Sequence, residues 1–469
     1  MSFNKFWMRV AACGVSLALV APTITAQQQA QQKTVLLAKN ETSDNAVEET
    51  NKAKPLVVSV LPNYYNQTDG ISLAEIVRRA FETNGDIKIA RLEVERAKAR
   101  LQQARLRANP TLEVEQSSGR LVGSGGEGEL SVGASLPLDV YNQRQRRIDV
   151  AQAEITLREA EVAARQRELA GQIFANYAEA LAALREVQVL EDLLELDTQA
   201  TRFVQIRVNE GETAPLELNL LQTEVERLRA RRQLAEGKLQ AAISKLKFYA
   251  GVPFDEPLKL REDIATARFT NVPTTLETGI TVALANRPEI RVAELEEQLA
   301  SAGLRLVRAQ SKPDITAYTR YSQGRSVVEL PAGAFPQRDR MLTFGVSIGI
   351  PVFNKNQGAR AEAEIAIRQA QERRAFAEQV IRSEIVAAFQ RIAATNRALS
   401  TLETGVLPRS QQNIVTIQKV YEIGELKITD LIAEQRRLLD ANRDLTETLT
   451  ERYRANADLF NALGITLEN

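Results

Sequence analysis

Two apolar series with a period of seven residues run through the stretch from Tyr141 to Val208. One series is Ile148, Ile155, Val162 and Leu169, and the other is Val150, Leu157, Ala164 and Gly171. Such a repeat is typical of coiled-coil helices, and an offset of two residues places the two series about 200° apart around a helix. The pattern predicts a helix at about 142–208, on the order of 100 Å long, with a neighbouring helix on each of two opposite sides, as in the wall of a tube.

Two other stretches have a period of two residues, which predicts β-strands. We predict two strands within about 111–139 and two within about 314–353, joined by exposed loops at Gly119–Gly128 and Gly324–Arg338. The residues predicted to face lipid are Leu130, Val132, Leu136, Leu342, Phe344, Val346, Ile348 and Ile350. A soluble sheet packed on a helix is the alternative. The smallest membrane barrels have about 8 strands, so membrane strands in this chain would require an oligomer.

The same succession of elements occurs twice along the chain. Ser72–Pro110 aligns with Thr275–Pro313 without a gap, and Pro137 later corresponds to Pro351. We therefore interpret 71–250 and 275–469 as two structural repeats, joined by an irregular linker at 251–274. The first repeat is predicted to end with a return helix at about 215–250. The second is predicted to have its long helix at about 355–421 and its return helix at about 427–463.

Each long helix is predicted to end in a tight turn, because Gly211 and Gly424 permit the left-handed backbone of a helix reversal and Pro215 can start the returning helix. The turns are either simple helix connections or contact surfaces for a partner. The candidate contact residues are Asn209, Gly211, Pro215, Tyr421, Gly424 and Lys427. The carboxylates of Glu210, Glu212, Glu422 and Glu425 are either solvated or, in a symmetric oligomer, a ring that favours cations at an entrance.

The N-terminal segment 1–26 has the pattern of a secretory signal peptide. Lys5 and Arg9 precede a short apolar run, and small residues precede Gln27. A short membrane anchor is the alternative, although about 20 apolar residues are needed to span a bilayer. Lipidation of Cys13 is a further alternative. The segment 27–70 begins with a polar, Gln- and Glu-rich stretch and is predicted to be a flexible periplasmic leader.

Composition makes most enzyme classes improbable. The chain has no histidine, one cysteine that lies within the predicted signal peptide, and 60 basic against 60 acidic residues. Catalysis or metal binding through His or Cys is therefore not expected, and the balanced charge gives no indication of nucleic-acid binding. We expect no enzymatic activity, no cofactor and no resident metal, since no constellation of carboxylates or lysines suggests a catalytic site.

The whole duplicated layout resembles the TolC-like outer-membrane efflux family over nearly all of the chain after the signal. The resemblance rests on the repeated entry helices, the prolines at the strand ends, and the second turn with its Tyr421, Gly424 and Leu431. The first turn departs from the pattern, with Val208 in place of the tyrosine and Glu217 in place of an aspartate. The amino-acid sequence of the second half is similar to that of the heavy-metal-efflux branch typified by CzcC.

The resemblance implies a mainly α fold with a small β-barrel contribution. It implies a homotrimer whose twelve strands form a barrel in the outer membrane of a Gram-negative-type cell and whose helices form a tube across the periplasm. It further implies that a periplasmic adaptor docks at the turns and that an inner-membrane pump, often of the resistance-nodulation-division type, drives export. The expected function is a passive exit duct for small solutes or metal cations. The alternatives are a duct for type I protein secretion or a soluble coiled-coil scaffold.

Overall fold

The computed structural model describes residues 58–119, 127–269, 272–331 and 333–465. The predicted signal peptide and residues 27–57 of the predicted leader lie outside these ranges. Residues 58–70 differ from the flexible leader that was predicted. They include a 3-10 turn at Leu61–Asn63, and Tyr65 forms a β-bridge to Leu260 of the linker.

Nine helices account for most of the described residues. In chain order they are α1 (Leu73–Thr83), α2 (Gly85–Arg105), α3 (Gln143–Asn209), α4 (Pro215–Ala250), α5 (Leu276–Asn286), α6 (Pro288–Gln310), α7 (Gln357–Thr401), α8 (Leu407–Glu422) and α9 (Ile428–Ala462). A π-helical segment, Leu402–Val406, separates α7 from α8. The second long helix, predicted to be continuous, is therefore interrupted. Pro408 follows the π-helical segment and has no backbone N–H, so a regular ladder of helix hydrogen bonds cannot run through this point.

Short polar side chains cap the first two helices. Ser72 accepts a hydrogen bond from the backbone of Glu75, and Asn84, which ends α1, caps α2 by accepting one from the backbone of Asp86. Asn142 and Asn356 precede the two long helices with φ values of 56° and 58°, a left-handed conformation that asparagine tolerates better than most residues. Equivalent positions of the two repeats therefore turn the chain from strand into helix in the same way.

The four strands form one antiparallel sheet in the order β1 (Thr111–Ser118), β2 (Gly128–Leu138), β3 (Asp314–Leu330) and β4 (Gly333–Gly349). Two predictions here are wrong. The stretch Gly324–Arg338 is not a loop, because β3 and β4 stay paired through it up to Leu330 and Gly333. In addition, β4 ends at Gly349, so Ile350 lies just beyond the strand.

Proline explains why the sequence suggested a loop. Pro336 is paired with Val327 although it cannot donate a backbone hydrogen bond. It lies on β4, an edge strand of this sheet, where a missing donor on the open side is tolerated.

The helices pack side by side as a wall one layer thick. Near the sheet, the order of neighbours is α2, α3, α6 and α7, and near the hairpin turns it is α4, α3, α9 and α8. The largest core extends from the hairpin tips, where it includes Tyr421, to mid-height, where α1 and the linker meet α3, α4 and α9. At mid-height it contains the rings of Phe174 and Phe460, and Phe269 packs against both. No helix among the described residues is long and apolar enough to cross a bilayer.

Candidate functional site at the helix hairpin tips

The two hairpin tips, 209–215 and 422–427, reverse the chain by the same hydrogen-bonding scheme. The backbone N–H of Glu212 donates to the carbonyl of Arg207 at 2.8 Å, and that of Glu425 donates to Val420 at 3.2 Å. Between them, Gly211 and Gly424 have φ values of +78° and +84°. This is the Schellman arrangement, in which a left-handed residue closes the last turn of a helix. A side chain at either glycine would strain the reversal.

Most of the predicted tip residues are exposed. Asn209, Glu210, Gly211, Glu212, Pro215, Glu422, Gly424, Glu425 and Lys427 are all open to solvent. Lys427 also caps α9, since its backbone N–H donates to the carboxylate of Asp430 at 3.2 Å. Tyr421 is the exception. It is only 4% exposed, so its side chain is not available to a partner in this conformation.

Tyr421 instead links the two hairpins. Its hydroxyl donates to the Glu217 carboxylate in α4 at 2.9 Å. Burial, together with this carboxylate, raises the pKa of Tyr421 well above its ordinary range, so the hydroxyl stays protonated and can donate. The bond explains why the first repeat has Glu217 in place of an aspartate, because this carboxylate accepts the hydrogen bond of the tyrosine from the second repeat.

Arg207 lies between the two tips and was missed by sequence reasoning. Its guanidinium forms an ion pair with Glu212 at 3.4 Å and lies 5.7 Å from the centre of the Phe203 ring. It also comes within 3.9 Å of the position that a Cβ of Gly424 would occupy. One of the four candidate aperture carboxylates is therefore neutralised within its own tip. Glu210, Glu422 and Glu425 have no ion pair among the described residues.

Large apolar side chains are also exposed at the tips. Ile206, Leu216 and Ile423 are between 56% and 70% exposed. Sequence reasoning did not select them, because each fits an ordinary helical pattern. Together with the polar tip residues they give this end of the molecule the mixed apolar and polar character of a protein contact surface.

A buried carboxyl–amide pair joins α3 to α9 behind the tips. Asp197 and Gln435 are 1% and 6% exposed, and the side-chain amide of Gln435 donates to one carboxylate oxygen of Asp197. Burial, with a smaller effect from Glu224, raises the pKa of Asp197 to about 7. The other oxygen of Asp197 and the amide oxygen of Gln435 have no hydrogen-bond partner among the described residues. A proton on Asp197 would satisfy both, since it could be donated to Gln435.

Glu224 lies near this pair but stays ionised. Although burial raises its pKa, hydrogen bonds and ion pairs with Arg436 at 2.9 Å and Arg227 at 3.4 Å hold it below the ordinary value. The pKa values of these two neighbouring carboxyl groups are thus shifted in opposite directions. The charge that remains on Glu224 is one reason why Asp197 holds its proton.

The sequence pattern of the outer membrane efflux protein family matches residues 76–252 and 279–465. The chain belongs to this family. The predicted resemblance is confirmed, and so is the predicted location in the outer membrane.

Relatives within the family carry names for different cargoes. The cobalt-zinc-cadmium resistance protein CzcC of Cupriavidus metallidurans is 22% identical over 412 residues, which is 87% of this chain and 93% of CzcC. The cation efflux system protein CusC of Escherichia coli K12 is 23% identical over 398 residues, covering 83% and 85% of the two chains. The toluene efflux pump outer membrane protein TtgI of Pseudomonas putida is 23% identical over 440 residues, covering 87% and 88%.

A crystal structure of CusC has the same fold. It superposes with a TM-score of 0.69 at 21% identity, covering 90% of this chain and 99% of CusC. This likeness agrees with the mainly helical architecture and its small antiparallel sheet.

The sheet of this outer membrane efflux protein has two chemically different faces. One face carries the predicted lipid-facing residues, and those within β2 and β4 are between 40% and 75% exposed. The opposite face is lined by small and polar residues. There Ser131 is buried, and Gly345 leaves space for the ring of Tyr318, with which a side chain would collide. The apolar face is thus unpartnered within one chain.

Proposed function

We propose that this protein is the exit duct of a tripartite efflux system, a passive channel from the periplasm through the outer membrane that is driven by an inner-membrane pump. One observation carries the proposal: in the sheet, in the helices next to it and near the tips, the chain forms a wall of four elements with two open edges. A wall of this kind encloses nothing by itself, so a closed water-filled path requires further copies.

The open edges of the sheet continue as the open edges of the helices below it. In the sheet they are β1 and β4, and near the sheet the corresponding helices are α2, which leads into β1, and α7, which follows β4. Near the tips the edges are α4 and α8. At these three levels, one side of the wall is therefore formed by the first repeat and the other by the second. A second copy can join the first without any rearrangement of the order of elements.

Lipid requires that the sheet edges be closed. An unpaired strand edge within a bilayer leaves backbone groups without partners, and this is costly where water is absent. Four strands per chain in a homotrimer give twelve, which exceeds the smallest barrels of about 8. Proteins of this family form trimeric channels that work with adaptors and inner-membrane pumps. The resemblance supports the same number here.

The tips are the proposed docking surface of a periplasmic adaptor. Their exposed polar residues and the exposed Ile206, Leu216 and Ile423 support this role. Tyr421 acts indirectly, since its bond to Glu217 fixes the two tips relative to one another. The pump that completes the system is proposed to be of the resistance-nodulation-division type, in line with the resemblance.

Small solutes, including metal cations, are the proposed cargo. The polar face of the sheet carries the carboxylates Glu113, Glu115 and Glu129 against one arginine, Arg320, and carboxylates on a lumen wall favour cations. The names of CzcC and CusC point in the same direction for those proteins, whereas the name of TtgI refers to toluene. Export of proteins by a type I system remains the alternative within the same architecture.

The experiment is a conductance measurement on the full chain inserted into liposomes. The wild-type protein is expected to form pores that prefer cations. Simultaneous Glu210→Gln, Glu422→Gln and Glu425→Gln substitutions are expected to lower that preference, with Glu82→Gln on the exposed face of α1 as the control. Unchanged ion selectivity would reject the proposed ring of carboxylates. A protein that stays soluble without detergent and forms no pore would instead support the coiled-coil scaffold and reject the duct.

A further inference from the structure

Three arginines lie together on the outward face of the β3–β4 hairpin, just beyond its apolar rows. The continuous series of apolar rows ends with the pair Tyr321–Leu342, and one separate apolar pair, Val327–Pro336, lies nearer the hairpin turn. The next row on the same face pairs Gln323 with Arg340, and the one after that pairs Arg325 with Arg338. All three arginines are exposed. We call Arg325, Arg338 and Arg340 the arginine triplet.

The triplet has no acidic partner among the residues whose side chains the structure describes. None of its members forms an ion pair among the described residues, although the chain as a whole contains many Arg–Glu pairs. Arg325 and Arg338 are directly opposite each other on paired strands, an arrangement in which like charges destabilise a sheet. The repulsion would be relieved by an anion bound from outside.

The acids in the part of the sheet from the row Ile315–Ile348 to the row Arg325–Arg338 belong to the other face. Because side chains alternate along a strand, Glu113, Glu115, Glu129 and Asp339 belong to the opposite face. Arg320 belongs to that face too and forms an ion pair there with Glu113 at 3.6 Å. Between the rows Ile315–Ile348 and Arg325–Arg338, the charged residues of the outward face are therefore arginines only, whereas those of the inward face are mostly carboxylates.

The triplet lies at the height expected of a lipid headgroup. The apolar rows extend from the pair Ile315–Ile348 to the pair Tyr321–Leu342. Six residues correspond to roughly 20 Å along a strand, close to the apolar band of about 25 Å in membrane barrels. The triplet is at the end of this band that is remote from the helices. If the edge strands of neighbouring chains pair, the adjacent outward residues of β1 are Gln116 and Ser118, which add no charge.

We propose that the arginine triplet binds the phosphate groups of an anionic lipid in the external leaflet of the outer membrane, while the acyl chains of that lipid cover the apolar rows. Guanidinium groups suit this role because they bind phosphate oxygens in a bidentate manner and stay charged. The inference rests on the proposed function, since it requires that the sheet spans the membrane.

The test measures lipid binding by the full chain, purified in a neutral detergent, with native mass spectrometry. The probes are diphosphoryl lipid A and, as a lipid without net charge, phosphatidylcholine. The test variant combines Arg325→Gln, Arg338→Gln and Arg340→Gln. The matched control is Arg320→Gln, which removes one positive charge from the opposite face of the same strand.

Each arginine near a membrane surface contributes about fivefold to the binding of anionic lipid, so the triple variant is expected to bind lipid A about a hundredfold more weakly. The triple variant is expected to bind phosphatidylcholine within about twofold of wild type. The Arg320→Gln variant is expected to bind lipid A within the same range. Equal binding of lipid A by the triple variant and the wild type would overturn the proposal, as would an equal loss in Arg320→Gln. Binding of inorganic phosphate alone as tightly as lipid A would also overturn it, in favour of a free anion.

Conductance in liposomes separates this inference from the proposed function. A triple variant that forms pores like the wild type but has lost lipid A supports the site. A wild-type protein that forms no pores overturns the proposed function and the lipid site together.

Discussion

The two long helical stretches of the repeats have almost the same length but very different surroundings. Buried residues run along α3 from Ala151 to Val204, whereas α7 buries only Ala370, Ile381, Ile385, Ala388 and Leu399. In the side-by-side order of the helices, α3 has a neighbour before and after it, while α7 near the sheet and α8 near the tips are the last helices. The difference indicates that α3 is an internal element of the wall and that α7 and α8 form an edge, which is where the proposed oligomer would place a neighbouring chain.

The same comparison holds for the regularity of the helices. α3 is uninterrupted for 67 residues, whereas its counterpart in the second repeat contains the π-helical segment Leu402–Val406. A stretch with neighbours on two sides is held straight by its packing. The edge stretch has fewer contacts to hold it, and there the chain accommodates a proline.

Disruption of the free side of α7 should have the largest effect. Phe376 is 67% exposed on this helix, and we expect Phe376→Asp to dissociate the oligomer, since loss of a buried phenyl group costs on the order of 3–5 kcal/mol. Native mass spectrometry in mild detergent measures the change. Ile423→Asp, at a tip side chain of similar exposure, is the control and should leave the oligomer intact. An intact oligomer in the Phe376 variant would place the interface elsewhere.

The next largest effect is expected at Asp197. The equivalent residue of the second repeat is Ser410, which has no carboxyl group. Because its pKa is raised from 3.8 to about 7, the folded protein binds this proton more tightly than the unfolded chain. The corresponding stability is fully present below the unfolded pKa and is lost as the pH rises through about 7, a change of up to about 4 kcal/mol.

Asp197→Asn should remove this pH dependence, because an asparagine can donate to Gln435 at any pH. The free energy of unfolding in guanidinium, measured at about pH 5 and about pH 8, should fall for the wild type relative to the variant. Asp69→Asn, at an exposed site, is the control. The same dependence on pH in the Asp197 variant and the wild type would show that Asp197 does not titrate in this range.

A smaller effect is expected at the link between the hairpins. Tyr421→Phe removes the hydrogen bond to Glu217 and should lower the free energy of unfolding by about 1 kcal/mol. The matched control is Tyr65→Phe, since the hydroxyl of Tyr65 has no hydrogen bond among the described residues. Equal stability of Tyr421→Phe and wild type would indicate that the bond contributes nothing in solution.

The smallest effect concerns the interruption of the second helix. Pro408→Ala supplies the missing backbone donor, so amide hydrogen exchange at 402–406 should slow towards the rate at the equivalent residues 189–193 of α3. Global stability is expected to change by less than about 1 kcal/mol. Exchange that is already equal in the two wild-type segments would mean that packing, and not the proline, sets local stability.

Local patterns predicted the long first helix and the glycine-bearing tips, since helical periodicity and turn residues depend on few neighbours. The wrong predictions concern segments whose structure depends on a partner that is distant in the sequence. The segment Gly324–Arg338 is strand because β3 and β4 pair with each other. Residues 58–70 are ordered because they contact the linker.

The candidate site was only partly predictable for the same reason. The exposure of Gly211 and Gly424 follows from their place in a turn. The burial of Tyr421 and the proton affinity of Asp197 depend on Glu217 and Gln435, each more than two hundred residues away in the chain. Nothing in the local sequence of either residue indicates these partners.

The central claim is that several copies of the chain together enclose a channel, because a wall of four elements with two open edges cannot do so alone. The mass of the wild-type protein in mild detergent tests this claim most directly. Native mass spectrometry is expected to give a species of three chains. A protein that remains a single chain under these conditions, or a closed assembly of two, would contradict the account.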